Sequence, residues 1–209
     1  LDLACGKGEM LIRFVRRYQT IGVGVDLSEV FIAAARARAE EQEVLDQITF
    51  VVDDAANYPQ PHHAFDIVSC IGATWIGGGL LGTLALMRTA LKPRDGVLLV
   101  GEPFWNMPPT PQEAAALGVE VESFTSLSGT LERFEQAGLV LVEMTLASLE
   151  SWDRYEAPQW RAVYRHLREN PTDPDADALR AWIDNNRRAY FNYGRRLLGW
   201  GVFVLREPI

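Results

Sequence analysis

A turn with two glycines begins the chain, and its residue types are suited to holding a small polar ligand. The segment Asp2-Leu3-Ala4-Cys5-Gly6-Lys7-Gly8-Glu9 follows an apolar strand and leads into a helix. Glycine has no Cβ, so the backbone can approach a ligand closely. The free N–H groups at the start of the helix attract polar or negatively charged groups. A tight turn without any ligand would explain the same glycines, so the motif needs a second signal.

Asp26 provides that signal, because it ends the second predicted strand 20 residues after Gly6. A carboxylate at this point of an α/β fold accepts hydrogen bonds from ribose hydroxyls. The alternative is an acid that stabilises the N-terminus of the helix after Ser28. The combination of the glycine turn and this spacing favours ribose binding, and therefore predicts a nucleoside-containing ligand.

Acidic side chains also follow two later strands. Asp53 and Asp54 come directly after the third strand, and Glu102 ends the fifth. Asp54 is placed to accept a hydrogen bond from the amino group of a base, unless it caps the next turn. Glu102 is placed to orient or deprotonate a substrate, and the alternative is a structural salt bridge or cap.

The elements that must position these residues alternate between strand and helix. The sequence predicts strands at 1–4, 21–27, 48–52, 65–71 and 96–101, and helices at 9–18, 29–42 and 80–91. Such alternation is typical of a parallel sheet covered by helices, in which ligands bind beyond the carboxyl ends of the strands. Further along the chain we expect a proline-rich loop at 103–111, a helix at 127–137, strands at 139–147 and 201–205, and a helical segment at 152–198 that breaks near 170–174.

Taken together, these motifs resemble class I S-adenosylmethionine (SAM)-dependent methyltransferases, whose first motif is Asp/Glu-x-Gly-x-Gly-x-Gly. Asp2, Gly6 and Gly8 match it, whereas Ala4 stands where the family usually has glycine. The resemblance covers nearly the whole chain and implies SAM as the cofactor. It implies that the cofactor-binding residues are Asp2, Ala4, Cys5, Gly6, Gly8, Asp26, Leu27, Asp54, Ala55 and Ile71.

Four further stretches are similar to an uncharacterised bacterial subgroup of these enzymes. They are Cys-Ile-Gly-Ala-Thr-Trp-Ile at 70–76, Gly-Glu-Pro-Phe-Trp at 101–105, Trp-Asp-Arg-Tyr-Glu-Ala at 152–157 and Gly-Trp-Gly-Val-Phe at 199–203. This similarity makes the fold more specific and leaves the reaction open.

The resemblance implies a Rossmann-like α/β fold with a seven-stranded, mostly parallel sheet, an antiparallel last strand and a helical insertion before that strand. We expect three segments: a SAM-binding core at 1–150 with a truncated N-terminus, a helical lid or substrate-binding insertion at 151–198, and a final strand at 199–209. Long insertions in compact domains are usually functional.

The candidate substrate-side residues are mostly aromatic. Trp75, Phe104, Trp105, Tyr155 and Trp160 are predicted to line the substrate site, with Glu102 as the candidate catalytic residue. Ordinary core packing is the alternative for Trp75. Amphipathic helix packing is the favoured interpretation for Tyr155, Trp160 and the neighbouring Asp153 and Glu156.

Composition limits the partners. The formal net charge is −8, which argues against nucleic acid and against an anionic membrane surface. The two cysteines form no disulfide framework and no redox pair, so we expect a cytoplasmic protein, and the spacing of the histidines predicts no metal site.

The sequence therefore predicts a methyltransferase that acts on an oxygen, nitrogen or carbon atom of a small molecule. Two alternatives stay open: a non-catalytic SAM-binding or regulatory module, and an NAD-dependent Rossmann oxidoreductase. The third glycine of the NAD motif is replaced by Leu11, which disfavours the oxidoreductase.

Overall fold

The computed structural model describes residues 1–58 and 62–208. The chain divides into two compact units. The first, here called the sheet unit, comprises Leu1–Glu102, Leu131–Thr145 and Val202–Ile209, although residue 209 lies outside the described residues. The second, here called the helical unit, comprises Pro103–Thr130 and Leu146–Gly201.

The strands form one seven-stranded sheet. Their bounds are β1 Asp2–Leu3, β2 Gly22–Asp26, β3 Ile48–Val52, β4 Ile67–Ile71, β5 Val97–Trp105, β6 Val140–Leu146 and β7 Leu198–Arg206. The spatial order is β3-β2-β1-β4-β5-β7-β6, and β3, β2, β1, β4 and β5 are parallel neighbours. The sheet is mostly parallel with antiparallel strands at the end of the chain, which confirms the predicted fold class. The order reverses direction between β1 and β4, where α/β folds bind ligands.

The helices of the first half surround an apolar core in the sheet unit. They are α1 Glu9–Tyr18, α2 Glu29–Glu41 and α3 Leu80–Ala90. Ser28 caps α2 by accepting a hydrogen bond from the backbone N–H of Phe31, as its residue type favours. Apolar residues three and four apart on α1 and α2 pack around the ring of Phe50. The apolar faces of α1 and α2 are thereby fixed against β3.

The proline-rich segment differs from its prediction as a loop. β5 continues through Pro103 to Trp105, because Phe104 and Trp105 are buried and the N–H of Trp105 donates to the carbonyl of Thr125. Pro111 begins a further helix, α4 Pro111–Ala116. Thr110 and Glu113 form a reciprocal cap at its start, and proline is favoured in the first turn.

The remaining helices follow the predicted order. They are α5 Leu127–Gln136, α6 Leu149–Glu169, α7 Ala176–Ala189, a π-helical turn Tyr190–Gly194, and α8 Arg195–Leu197. The predicted break near 170–174 lies between α6 and α7. β7 begins earlier than predicted, at Leu198. In the described part of the chain, no helix combines the length and apolar character needed to cross a membrane.

Candidate functional site

The turn between β1 and α1 has left-handed backbone at three positions. Ala4, Gly6 and Gly8 have φ angles of 55°, 56° and 69°. A Cβ at Gly8 would lie 2.9 Å from the Phe50 ring, whereas a Cβ at Gly6 would meet nothing within 4 Å. Gly8 is therefore required by packing within the protein, and Gly6 faces open space in which a ligand can lie against the backbone.

The Asp26 carboxylate joins this turn to the start of α2. One oxygen accepts the N–H of Gly6 at 2.8 Å, and the other accepts the N–H of Ser28 at 2.9 Å. Asp26 thus has the alternative role predicted for it, as an acid at the start of α2. This role leaves part of the carboxylate available to a ligand. A carboxylate has about four lone-pair sites, so two acceptor sites remain for hydroxyl groups. Leu27, which follows directly, is 74% exposed and offers an apolar surface.

Asp2, on β1 just before the turn, is buried, unlike Asp26. It is 3% exposed, and its carboxyl accepts a hydrogen bond from the Ser69 hydroxyl at 2.7 Å. Burial raises the pKa of Asp2 to about 6, although the bond from Ser69 opposes the rise. Direct contact of Asp2 with a cofactor stays a prediction, and so little exposed surface favours a role in holding the turn.

The acids after β3 are engaged in their own turn. The two oxygens of Asp54 accept from the backbone N–H of Ala56 and the side-chain amide of Asn57, both at 2.9 Å. Ala55 is buried. The capping alternative therefore describes the observed hydrogen bonds of Asp54, and its contact with a base stays a prediction. Asp53 lies beside Asp26, because its N–H donates to the Asp26 carbonyl.

The segment after β4 leads into a short 3₁₀ helix, Thr74–Gly77. Ile71 ends β4, and the N–H of Gly72 donates to the carbonyl of Gly101 on β5. Trp75 is 72% exposed, so the core-packing alternative for this residue is wrong. The exposed indole leaves the predicted role as a pocket wall open.

Glu102 is a buried carboxyl of the sheet unit whose surroundings suit it to proton transfer. It is 2% exposed and accepts a hydrogen bond from the Thr74 hydroxyl. Burial raises the pKa of Glu102 to about 7, against the opposing effects of Thr74 and of the positive charge of Arg133. Such a group changes its protonation near neutral pH and can accept a proton there.

Sequence reasoning missed part of this arrangement. The Thr83 hydroxyl, on α3, donates to the carbonyl of Thr74 and accepts from the N–H of Gly77. Thr83 therefore fixes the 3₁₀ helix that presents Thr74 to Glu102. A single threonine within an apolar helix gives no signal from which this role could have been found.

Phe104 and Trp105 line a cavity within the helical unit, and their contact with a substrate stays a prediction. The cavity measures about 900 Å³ and is also lined by Trp152, Phe191 and Arg195. Both residues are at the same time part of the packing of the unit, since the Trp105 indole N–H donates to the carbonyl of Val121 and its ring packs against Phe124.

The charged groups near this cavity are paired. Arg195 contacts both carboxyl oxygens of Asp153, at 3.0 and 3.3 Å, and Arg196 pairs with Glu113 at 2.7 Å. The guanidinium groups are thereby neutralised by neighbouring carboxylates, and most of the other residues that line the cavity are aromatic or aliphatic.

Tyr155 and Trp160 have different surroundings from Phe104 and Trp105. Tyr155 is 65% exposed. The Trp160 indole donates to the amide oxygen of Asn186, and its ring packs against Tyr190 and Phe191 with centroids 5.8 Å away. The favoured interpretation, packing within an amphipathic helix pair, describes Trp160. A substrate contact by Tyr155 or Trp160 stays a prediction.

Comparison with known proteins identifies relatives of this chain in sequence and in fold. Residues 1–94 match the model of a family described as "Methyltransferase domain". A crystal structure of a SAM-dependent methyltransferase from Geobacter sulfurreducens in complex with S-adenosyl-L-homocysteine is 41% identical, with a TM-score of 0.94 over 99% of this chain and 83% of that one.

Two curated proteins extend the comparison. The uncharacterized protein YjhP of Escherichia coli strain K12 is 42% identical over 98% of this chain and 83% of its own length. The 27-O-demethylrifamycin SV methyltransferase of Amycolatopsis mediterranei is 27% identical over 77% of this chain and 58% of its own length.

Proposed function

Because this chain belongs to the SAM-dependent methyltransferases, we propose that it transfers a methyl group from SAM to an oxygen, nitrogen or carbon atom of a small molecule. The observation that supports the cofactor half of this proposal is the Asp26 carboxylate, held by Gly6 and Ser28 with acceptor sites to spare.

The described residues fit SAM. The open space at Gly6 admits a ligand group against the backbone, the carboxylate of Asp26 suits the two ribose hydroxyls, and the exposed Leu27 suits an apolar base face. The cofactor is SAM, since structural relatives are bound to S-adenosylhomocysteine. The NAD-dependent oxidoreductase considered from the sequence is set aside on this ground.

The small-molecule half of the proposal rests on the helical unit. Its aromatic cavity of about 900 Å³ has the size of pockets that hold small organic ligands. The rifamycin-modifying relative acts on a small molecule by its name, and the net charge of −8 disfavours nucleic acid and anionic membranes as partners. Two free cysteines are compatible with the reducing environment of the cytoplasm, which we propose as the location.

In this mechanism the chain positions groups and moves one proton. SAM, when bound, supplies a methyl group that is already activated by its positive sulfur. Within the sheet unit Asp26 fixes the ribose, and within the helical unit the walls of the cavity orient the acceptor. When the nucleophile is an O–H or N–H group, Glu102 accepts the proton that is released as the new bond to the methyl group forms.

A turnover assay tests the proposal. SAM is incubated with the protein and a panel of small molecules, and S-adenosylhomocysteine formation is measured. We expect at least one acceptor to give turnover that is lost in Asp26→Ala. Binding of SAM without turnover on any acceptor would instead support the non-catalytic SAM-binding module.

A further inference from the structure

A second cavity lies within the helical unit, between α6, α7 and the π-helical turn. It measures about 380 Å³, and its walls include Trp152, Glu156, Trp182, Asn186 and Tyr190. Three of these residues are aromatic. Of the described residues that line it, Glu156 is the one with a carboxyl group, and burial raises the pKa of that carboxyl.

Two polar atoms of this wall have no partner. The indole nitrogen of Trp152 and one carboxyl oxygen, Oε2, of Glu156 are both inaccessible to solvent and make no hydrogen bond. They are four residues apart on α6, and residues at that spacing lie on the same face of a helix. Leaving a buried polar group unpaired costs about 1–3 kcal/mol, so two such atoms in one wall need an explanation.

The same helix pair shows that a buried indole can be satisfied. Trp160, also on α6, donates its indole N–H to the amide oxygen of Asn186. The Asn186 side chain also hydrogen-bonds the Glu156 carboxyl. Among the residues that the structure describes, the buried side-chain atoms without a partner are those of Trp152 and Glu156, whose side chains line this cavity.

The chemistry of a missing partner follows from the atoms. The Trp152 N–H needs an acceptor, and the Glu156 oxygen needs a donor, which a protonated amine supplies together with an opposite charge. Aromatic faces such as those of Trp182 and Tyr190 attract cations further. A positively charged amine with a nearby hydroxyl or carbonyl oxygen would satisfy all of these groups at once.

We propose that this cavity binds the ammonium group of the methyl acceptor, and that the acceptor is a small amine with an oxygen close to its nitrogen. The reacting part of the acceptor extends into the larger cavity, since Trp152 and Leu198 line both. Trp182, one of the wall residues, is half-exposed, so its ring is not enclosed on every side. The cation site stands on the observations above, and its use for the acceptor rests on the proposed function.

A binding experiment with the full chain, without SAM, tests the cation site. Three probes are compared. Ethanolamine carries both the ammonium group and the oxygen, ethylamine lacks the oxygen, and in propanol a methyl group replaces the ammonium group. Affinities are measured by ligand-observed NMR. We expect ethanolamine to bind at least about tenfold more tightly than propanol. Equal affinity for the two would overturn the proposal.

Matched variants locate the site. Glu156→Gln keeps the shape and removes the charge, and should reduce ethanolamine affinity at least about tenfold. Glu150→Gln makes the same change at an exposed position of α6 and should leave the affinity unaltered. Trp152→Phe should weaken ethanolamine binding and leave ethylamine binding unaltered, because only the first ligand has an acceptor for the indole N–H.

The variants also separate this inference from the proposed function. Ethanolamine binding that persists in Glu156→Gln contradicts the cation site whatever the enzyme does. Intact, Glu156-dependent amine binding in a protein that turns over no acceptor supports the cation site and contradicts the methyltransferase activity. Melting temperatures of all variants verify that each is folded.

Discussion

In the sheet unit the carboxylate of Asp26 has both oxygens hydrogen-bonded, whereas in the helical unit the carboxylate of Glu156 keeps one oxygen buried without a partner. The first arrangement is complete before a ligand binds and uses backbone N–H groups next to a strand end. The second is made by side chains from two helices and is incomplete until a donor reaches it.

This difference has an energetic consequence. Backbone donors fixed by the sheet lose little entropy on binding, so a site of the first kind suits a cofactor that every turnover needs. An unpaired buried group destabilises its unit by about 1–3 kcal/mol, and that cost is recovered only by a ligand with the matching donor. The second kind of site therefore discriminates between ligands.

The carboxyl of Glu102 is intermediate between these two in its hydrogen bonding. Of the substitutions considered, a change at Glu102 has the largest expected effect on activity. It has one partner, Thr74, and burial raises its pKa to about 7. If Glu102 is the base, Glu102→Gln lowers kcat by about 10²-fold or more. The wild-type kcat should rise as pH increases through about 7, because only the deprotonated carboxyl accepts a proton.

The pH profile distinguishes a base from a structural group. Rates are measured across neutral pH with an acceptor identified in the turnover assay. A variant with the same kcat and the same pH profile as the wild type would show that Glu102 serves the structure only.

How far the sequence could predict these groups depends on how they are built. Gly6 and Asp26 could be identified because parallel strands bring residues that follow them to one edge, whatever the details of packing. Trp152 and Glu156 could be placed on a helix, but the lack of a partner for their atoms depends on tertiary packing, which no local pattern encodes.

The fold shows the same limit. The strand and helix order follows from periodicity, and it was predicted. The continuation of β5 through Pro103 was not, because it depends on the burial of Phe104 and Trp105. Composition alone predicts a loop wherever prolines are dense.

Asp26→Ala tests whether the sheet unit is as preorganised as its hydrogen bonds suggest. The substitution removes the acceptor of the Gly6 and Ser28 N–H groups and the expected ribose contact. We expect SAM affinity, measured by calorimetry, to fall about 10- to 100-fold, as for the loss of charge-assisted hydrogen bonds.

Asp46→Ala is the matched control, since Asp46 is exposed and precedes β3 at the opposite edge of the sheet. Its SAM affinity should equal that of the wild type. If Asp26→Ala also binds SAM as tightly as the wild type does, then the ribose assignment is incorrect.

The pH dependence of the free energy of unfolding should show a smaller effect. It compares the buried carboxyl of Glu102 with carboxylates, such as that of Asp26, whose oxygens are both hydrogen-bonded. The pKa of Glu102 is raised from 4.5 in the unfolded chain to about 7 in the folded protein. The neutral carboxyl is therefore favoured by folding: its contribution to stability is fully present below pH 4.5 and is lost as pH rises through about 7.

Glutamine stays neutral, so Glu102→Gln should avoid that loss. Its free energy of unfolding relative to the wild type should increase by about 3 kcal/mol between acidic pH and pH 8, as measured by urea denaturation at each pH. A difference between the two proteins that is independent of pH would mean that Glu102 ionises in the folded state as it does in the unfolded chain.

Ala4→Gly has the smallest expected effect and tests whether the glycine turn contains avoidable strain. Ala4 has a φ of 55°, a conformation that costs a residue with a Cβ about 1–2 kcal/mol. Glycine removes this cost but adds about 0.4–1 kcal/mol of entropy to the unfolded chain. The free energy of unfolding should therefore rise by about 0.5–1 kcal/mol, which corresponds to an increase in Tm of about 1–4 °C.

The opposite sign is expected where alanine already has favourable backbone geometry. Ala33 is exposed in the middle of α2, and Ala33→Gly should lower the free energy of unfolding by about 1 kcal/mol. If both substitutions destabilise the protein equally, the cost of the left-handed geometry at Ala4 does not decide the stability of the turn. The methyl group of Ala4 must then contribute packing that offsets the cost of the left-handed backbone. The turn would in that case be stabilised by side-chain packing, as Asp26 is stabilised by its hydrogen bonds.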